Sequence, residues 1–209
     1  MVRHYNEIAG RSVERLAALS DGVFAVAMTL LVLDLRVPAS AAVHSEAELW
    51  DALAELSPRL IVYLMSFLTL GIFWVGQQTQ LQELQRSDRH LTWIHLAFLF
   101  AITLMPFSTT LMAGFIVYRP ALLMYWANIL LLGVVLYVSW RYAEGAGLLR
   151  ESITRERRCA MERRILVAQG LYAFGAGLCL INTYVSIAFI VLVQLNFALA
   201  PRLPFLSEV

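Results

Sequence analysis

Four polar positions lead into the first apolar segment of the chain. Arg15, Ser20, Asp21 and Gly22 precede VFAVAMTLLVLDLRV, which ends at Val37. A carboxylate placed beside an apolar run has two uses: it ties neighbouring helices through hydrogen bonds, or it faces a cation. An ionised group at the centre of a bilayer costs a few kcal/mol, so Asp21 needs a partner or a purpose. Arg15 does not supply the partner along the helix, because its offset from Asp21 puts the two on different faces. Catalytic chemistry has no comparable cluster. His4, His44, His90 and His95 are scattered, and Cys159 and Cys179 do not form a C-x-x-C pair. Neither an enzyme site nor a disulfide, metal centre or cofactor is expected.

The elements that position this cluster are membrane helices by composition. The 209 residues are 60% hydrophobic, with a mean hydropathy of +0.69, well above the apolar share of a soluble domain. At roughly 20 residues per crossing there is room for about six passes in one domain over residues 1–209. A formal net charge of +1 leaves no basic excess to neutralise phosphates, so nucleic acid is not an expected partner. The first apolar segment is too long for a signal peptide and carries no small-residue cleavage pattern.

The passes follow from apolar runs and their breakers. The first covers about Arg15 to Val37 and stops at Pro38; Ala39 to Trp50 reads as an exposed loop. The second starts near Ser57-Pro58 and runs to Gln77-Gln78, since proline is tolerated in a first helical turn. A polar turn from Gln82 to His90 precedes a third pass, Leu91 to about Met112, in which Pro106 should introduce a kink. The fourth spans about Ala121 to Tyr142. Arg141 to Arg164 is a charged run outside the hydrocarbon, with a face near anionic lipid. Ile165 to Ala200 is too long for one pass and is broken at Asn182-Thr183, so it reads as a helical hairpin giving passes five and six.

Arginine placement orients the chain. With the N-terminus inside, thirteen of the arginines fall on inner segments, and only Arg36, Arg59 and Arg119 fall outside. That bias puts both termini in the cytoplasm of a multi-pass cell-membrane protein.

On a helix wheel Val26, Thr29, Leu30 and Leu33 share one face, and Gly22 and Val37 extend it. Ser20 and Asp21 point well away from Val26. The polar pair is therefore expected to face helices of the same subunit, while the stripe faces something else: lipid, another helix or a pore. Thr29 has a local option as well, a hydrogen bond to a carbonyl one turn back.

The segment RLAALSDGVFAVAMTLLVL resembles the signature of the transmembrane protein 175 family of potassium channels, whose first helix opens Arg-x-x-x-Phe-Ser-Asp-Gly. Arg15, Ser20, Asp21 and Gly22 match, with Leu19 in place of the phenylalanine. The second pass, SPRLIVYLMSFLTLGIFWVGQQ, and the third, LTWIHLAFLFAITLMPFSTTLM, also resemble the family. Gln77 and Gln78 stand where relatives often have histidine, and His95 where they commonly have asparagine. The resemblance implies a six-helix unit assembling as a homotetramer, with first helices around a central pore and no Thr-Val-Gly-Tyr-Gly filter. It maps a constriction of apolar side chains to Val26 and the next pore layers to Thr29, Leu30 and Leu33. The polar motif would tie the first helix to the second and third, with Trp74, Gln77 and His95 as partners. Trp74 has a second use, anchoring at the membrane interface.

The function expected on these grounds is a potassium-preferring cation leak channel with potassium as permeant and no cofactor. The rival readings are a secondary transporter, which needs a polar site at the midplane, a membrane-embedded enzyme and a membrane-embedded scaffold.

Overall fold

The computed structural model describes residues 12–39 and 43–199. Ser12 opens the first helix, α1 (Val13–Leu30), by accepting a hydrogen bond from the Arg15 N–H at 3.2 Å, as a helix N-terminus requires. A tight 3-10 turn, Leu31–Asp34, ends it ahead of Pro38, so the helical part stops earlier than the expected Val37. One face of α1 is built for burial: Leu16, Ser20, Phe24, Ala27 and Leu31 recur at helical spacing, and all are buried. That face packs on the second and third long helical segments described next.

The expected loop at Ala39 to Trp50 is corrected in part. Residues from Glu46 onward form α2 (Glu46–Glu55), which has no buried residue. Ser45 accepts from the Glu48 N–H at 3.2 Å, and Glu48 Oε2 accepts from the His44 N–H at 2.6 Å. This is a capping-box arrangement shifted by one residue. The chain continues into α3 (Ser57–Gln82), with Pro58 in its first turn.

Pro106 does more than bend the third segment. It divides it into α4 (Arg89–Thr103) and α5 (Met105–Gly114), joined at Leu104. Proline lacks the N–H that would reach back one turn, and its ring crowds the carbonyl there. The fourth segment, α6 (Arg119–Gly145), extends into the charged run expected outside the hydrocarbon. It ends in a Schellman motif: Leu148 N–H donates to Ala143 O at 2.9 Å and Gly147 N–H to Glu144 O at 3.2 Å. Gly147 has φ +65°, the left-handed conformation that glycine adopts without a steric penalty.

The charged run also supplies the start of α7 (Arg155–Gly177), so this helix begins ten residues before the expected Ile165. A short 3-10 turn and Asn182 then separate it from α8 (Thr183–Leu199), in agreement with the expected hairpin break. Among the described residues, four segments are long and apolar enough to cross a membrane: Val13–Asp34, Ser57–Gln82, Arg89–Gly114 and Arg119–Gly145. The charged first turns of α7 and the 17-residue length of α8 leave these two helices outside that group.

Two sets of polar contacts hold the helices where the hydrophobic effect does not. In a bilayer lipid tails are as apolar as leucine, so helix association rests on close packing and interhelical hydrogen bonds. In the core, Thr109 Oγ1 donates to Ser66 Oγ (2.8 Å) and Gln194 Nε2 to Thr69 Oγ1 (2.6 Å), with the Tyr125 hydroxyl 3.0 Å from Thr69 Oγ1. These contacts join α3, α5, α6 and α8. At the arginine-rich end, an antiparallel bridge between Leu84 and Leu149 fastens the α3–α4 turn to the α6–α7 turn. Arg157 pairs with Glu83 across it at 2.7 Å.

Candidate functional site: the two faces of the first helix

The first turns of α1 carry the signature residues onto α3 and α4. Ser20 is fully buried, and its hydroxyl donates to Leu16 O at 2.7 Å. Ser20 Oγ also lies 2.7 Å from His95 Nε2 on α4 and accepts from Gln77 Nε2 of α3 at 2.9 Å. Gln77 Nε2 is in turn 2.8 Å from His95 Nε2. That ring nitrogen has one role at a time: protonated it donates to Ser20, bare it accepts from Gln77. Ser20, Gln77 and His95 thus form a buried junction of three helices, stacked beside Phe98, whose ring is 6.4 Å from that of His95.

Asp21 sits one residue on and is exposed. Its Oδ1 accepts from Trp74 Nε1 at 2.8 Å and from Gln78 Nε2 at 2.7 Å. Trp74 and Gln78 are one turn apart on α3, so both reach the same carboxylate oxygen. Gln78 is a partner that sequence reasoning missed; its spacing from Trp74 was the available signal. The structure brings Ser20, Asp21, Trp74, Gln77 and His95 together. Arg15 is not brought to Asp21: it lies exposed at the start of α1.

The opposite face of α1 is bare. Val26 is 58% exposed, Leu30 45% and Leu33 69%, whereas Phe24 and Ala27 beside them are 2–3% exposed. Gly22 also lies on the bare side, where a methyl group in place of its hydrogen would meet no atom within 4 Å. Leu19, Gly22, Val26 and Leu30 form one wall of an open groove of ≈ 460 Å³, and Thr103 and Pro106 at the α4–α5 break line it too. Thr29 is exposed, and its hydroxyl lies 2.9 Å from Ala25 O and 2.8 Å from Val26 O, to which it donates. With its hydrogen turned back onto the helix, the Thr29 oxygen keeps its lone pairs for another partner.

Known proteins resemble this chain in sequence and fold. The family model described as endosomal/lysosomal potassium channel TMEM175 matches residues 15–106, from the start of α1 to Pro106. A potassium channel of Chamaesiphon minutus is 30% identical over 189 residues, covering 88% of this chain and 93% of that protein. The chain belongs to the TMEM175 family. The crystal structure of a lysosomal potassium-selective channel TMEM175 homolog from the same organism superposes with a TM-score of 0.79 at 28% identity, covering 90% of this chain and 97% of that one. The human endosomal/lysosomal proton channel TMEM175 is 26% identical over 98% of this chain, which spans 40% of the human protein's length. This TMEM175-family chain is thus an all-helical, multi-pass membrane protein of a channel family.

Proposed function

We propose that this chain is a potassium-preferring cation leak channel of the cell membrane. Four copies would assemble around a fourfold axis, each with six crossings and both termini in the cytoplasm. The observation that carries the reading is the bare stripe on α1: Val26, Leu30 and Leu33 lie open while Leu16, Ser20, Phe24 and Ala27 on the other face are buried. In a closed cyclic assembly the same stripe from each subunit meets around one axis. Gly22, with nothing of its own subunit against it, suits close approach of a neighbouring helix. The names of the bacterial relatives, potassium channels both in Chamaesiphon minutus and in Streptomyces collinus, support the permeant ion.

Four Val26 side chains would form a narrow apolar ring, which opposes ions by dewetting rather than by charge. An ion sheds part of its water to pass, and potassium, less tightly hydrated than sodium, loses less in doing so. Thr29, about one turn outward, offers a hydroxyl oxygen whose hydrogen is already committed to the backbone, the polarity that a cation favours. In this reading Asp21 serves the interhelical network, not the ion. No arginine-rich helix is assigned to voltage sensing, so currents depend weakly on voltage.

A secondary transporter is the second reading, and one observation favours it: the hydroxyl cluster of Ser66, Thr69, Thr109 and Tyr125 inside the bundle, beside the broken α4–α5 segment. Flux from purified protein in liposomes separates the two. A channel passes potassium passively down its gradient with no counter-substrate, saturating only weakly. Uptake that requires an opposing ion gradient would replace the channel reading with the transporter one.

A further inference from the structure

A cavity of ≈ 10 Å³ lies beside the Ser20–Gln77–His95 junction, between α3, α4 and α6. Gln77 and His95 line it from the junction, and Ser139 and Trp140 line it from α6. Two of these side chains carry a buried polar atom with no hydrogen-bond partner among the described residues: Gln77 Oε1 and Trp140 Nε1. The two residues are 2% and 1% exposed. Buried polar atoms are nearly always paired, either with protein or with ordered water. These two have opposite needs, because an amide oxygen only accepts and an indole N–H only donates. A cation between them would face the indole N–H, and an anion would face the amide oxygen. Water donates and accepts at once, and one water needs about 10–15 Å³ of such space.

We propose that this cavity is a binding site for a single structural water, which accepts from Trp140 Nε1 and donates to Gln77 Oε1. Ser139, half-buried on the same cavity, supplies a hydroxyl as third partner, the number a buried water typically has. The water has a positioning role. With Gln77 Oε1 held toward the cavity, Gln77 Nε2 is left for Ser20 Oγ at 2.9 Å and His95 Nε2 at 2.8 Å. The junction then joins four helices in place of three, the water tying α6 to α1, α3 and α4 as a bridging hydrogen-bond partner. The site is internal to one subunit and does not depend on which ion the assembly conducts.

A structure of the full chain in lipid nanodiscs, at a resolution that shows ordered water, tests the site directly. One peak is expected within hydrogen-bond distance, about 2.7–3.2 Å, of both Gln77 Oε1 and Trp140 Nε1. Trp140→Phe keeps an aromatic ring and removes the donor, so the peak should fall to less than half its height relative to other buried waters. An ultraviolet resonance Raman difference between the parent and Trp140→Phe isolates the Trp140 indole and should show a hydrogen-bonded N–H. If Trp140→Phe does not fold, the parent structure alone decides. No peak where other buried waters are seen, or a direct Gln77–Trp140 contact in its place, overturns the site. So does a free-indole signature, or a peak that Trp140→Phe leaves unchanged.

Discussion

The two faces of α1 meet opposite surroundings. One face ends in a buried junction, with Ser20, Gln77 and His95 within 2.9 Å of one another and Phe24 packed at 2% exposure. The other, a few ångströms around the same helix, leaves Val26, Leu30 and Leu33 open. A helix anchored on one side and bare on the other holds its bare side at a fixed angle. In the proposed channel, which has no carbonyl filter, selectivity would depend on where the bare side chains stand, and the network would set that position. Disturbing each face separately tells a pore-lining stripe from a lipid-facing one.

The largest effect should come from the packed face. Phe24→Ala removes a ring set 6.1 Å from that of Phe98 and leaves a void at the α1–α4 contact. In water such a change costs about 3–5 kcal/mol. In a bilayer the transfer contribution largely vanishes and lost contacts remain, so a loss on the order of 2 kcal/mol is expected. Thermal unfolding in mild detergent should show a lower Tm together with lower yield of assembled protein. An unchanged Tm would mean that the packed face does not anchor the helix.

Asp21→Ala comes next. It leaves Trp74 Nε1 and Gln78 Nε2 without their shared acceptor. Interhelical ties of this kind contribute on the order of 1 kcal/mol each. Lower thermal stability or weaker assembly is the expected result, with ion preference retained in the protein that does assemble. A variant that is normally stable but altered in ion preference would move Asp21 from the network to the pore.

Changes on the bare face should barely touch stability, within about 0.5 kcal/mol, and should act on flux. Val26→Asn wets the apolar ring and should raise potassium flux; Thr29→Val removes the oxygen above it and should reduce the preference for potassium over sodium. Paired flux assays with the two cations in liposomes read both. The smallest effect on flux and assembly is expected at Ser45→Ala, although it loosens the cap of α2 locally by about 1 kcal/mol. This helix has no buried residue, so flux and assembly should be unaffected.

The sequence made the framework legible where local signals are strong. Apolar length located the four long segments, Pro106 marked the α4–α5 division, and Asn182 the last turn. The wheel separated Ser20 from Val26 because a helix fixes relative direction at any length. What it left open depended on neighbours distant in the chain. Gln78 reaches Asp21 only because α3 crosses α1 at that level. The Leu84–Leu149 bridge joins two turns whose own residues carry no strand pattern. The early start of α7 was hidden by charge: its arginines look like a solvated loop until Thr154 caps them and Glu83 and Glu144 pair with Arg157 and Arg158. In α2 the signal was present, Ser45 followed by Glu48, but outweighed by the polarity around it.

The central claim, that the bare stripe of α1 lines the conduction path, is tested most directly by a thiol placed at Val26. The free Cys159 is exposed and Cys179 is buried, so Cys159→Ser supplies a quiet background. Val26→Cys in that background, recorded in planar bilayers under a potassium gradient, should lose its current on adding a small cationic methanethiosulfonate reagent, while the background protein keeps its own. Full labelling of the introduced thiol, verified by mass, with undiminished current would contradict the account and place the ion path elsewhere.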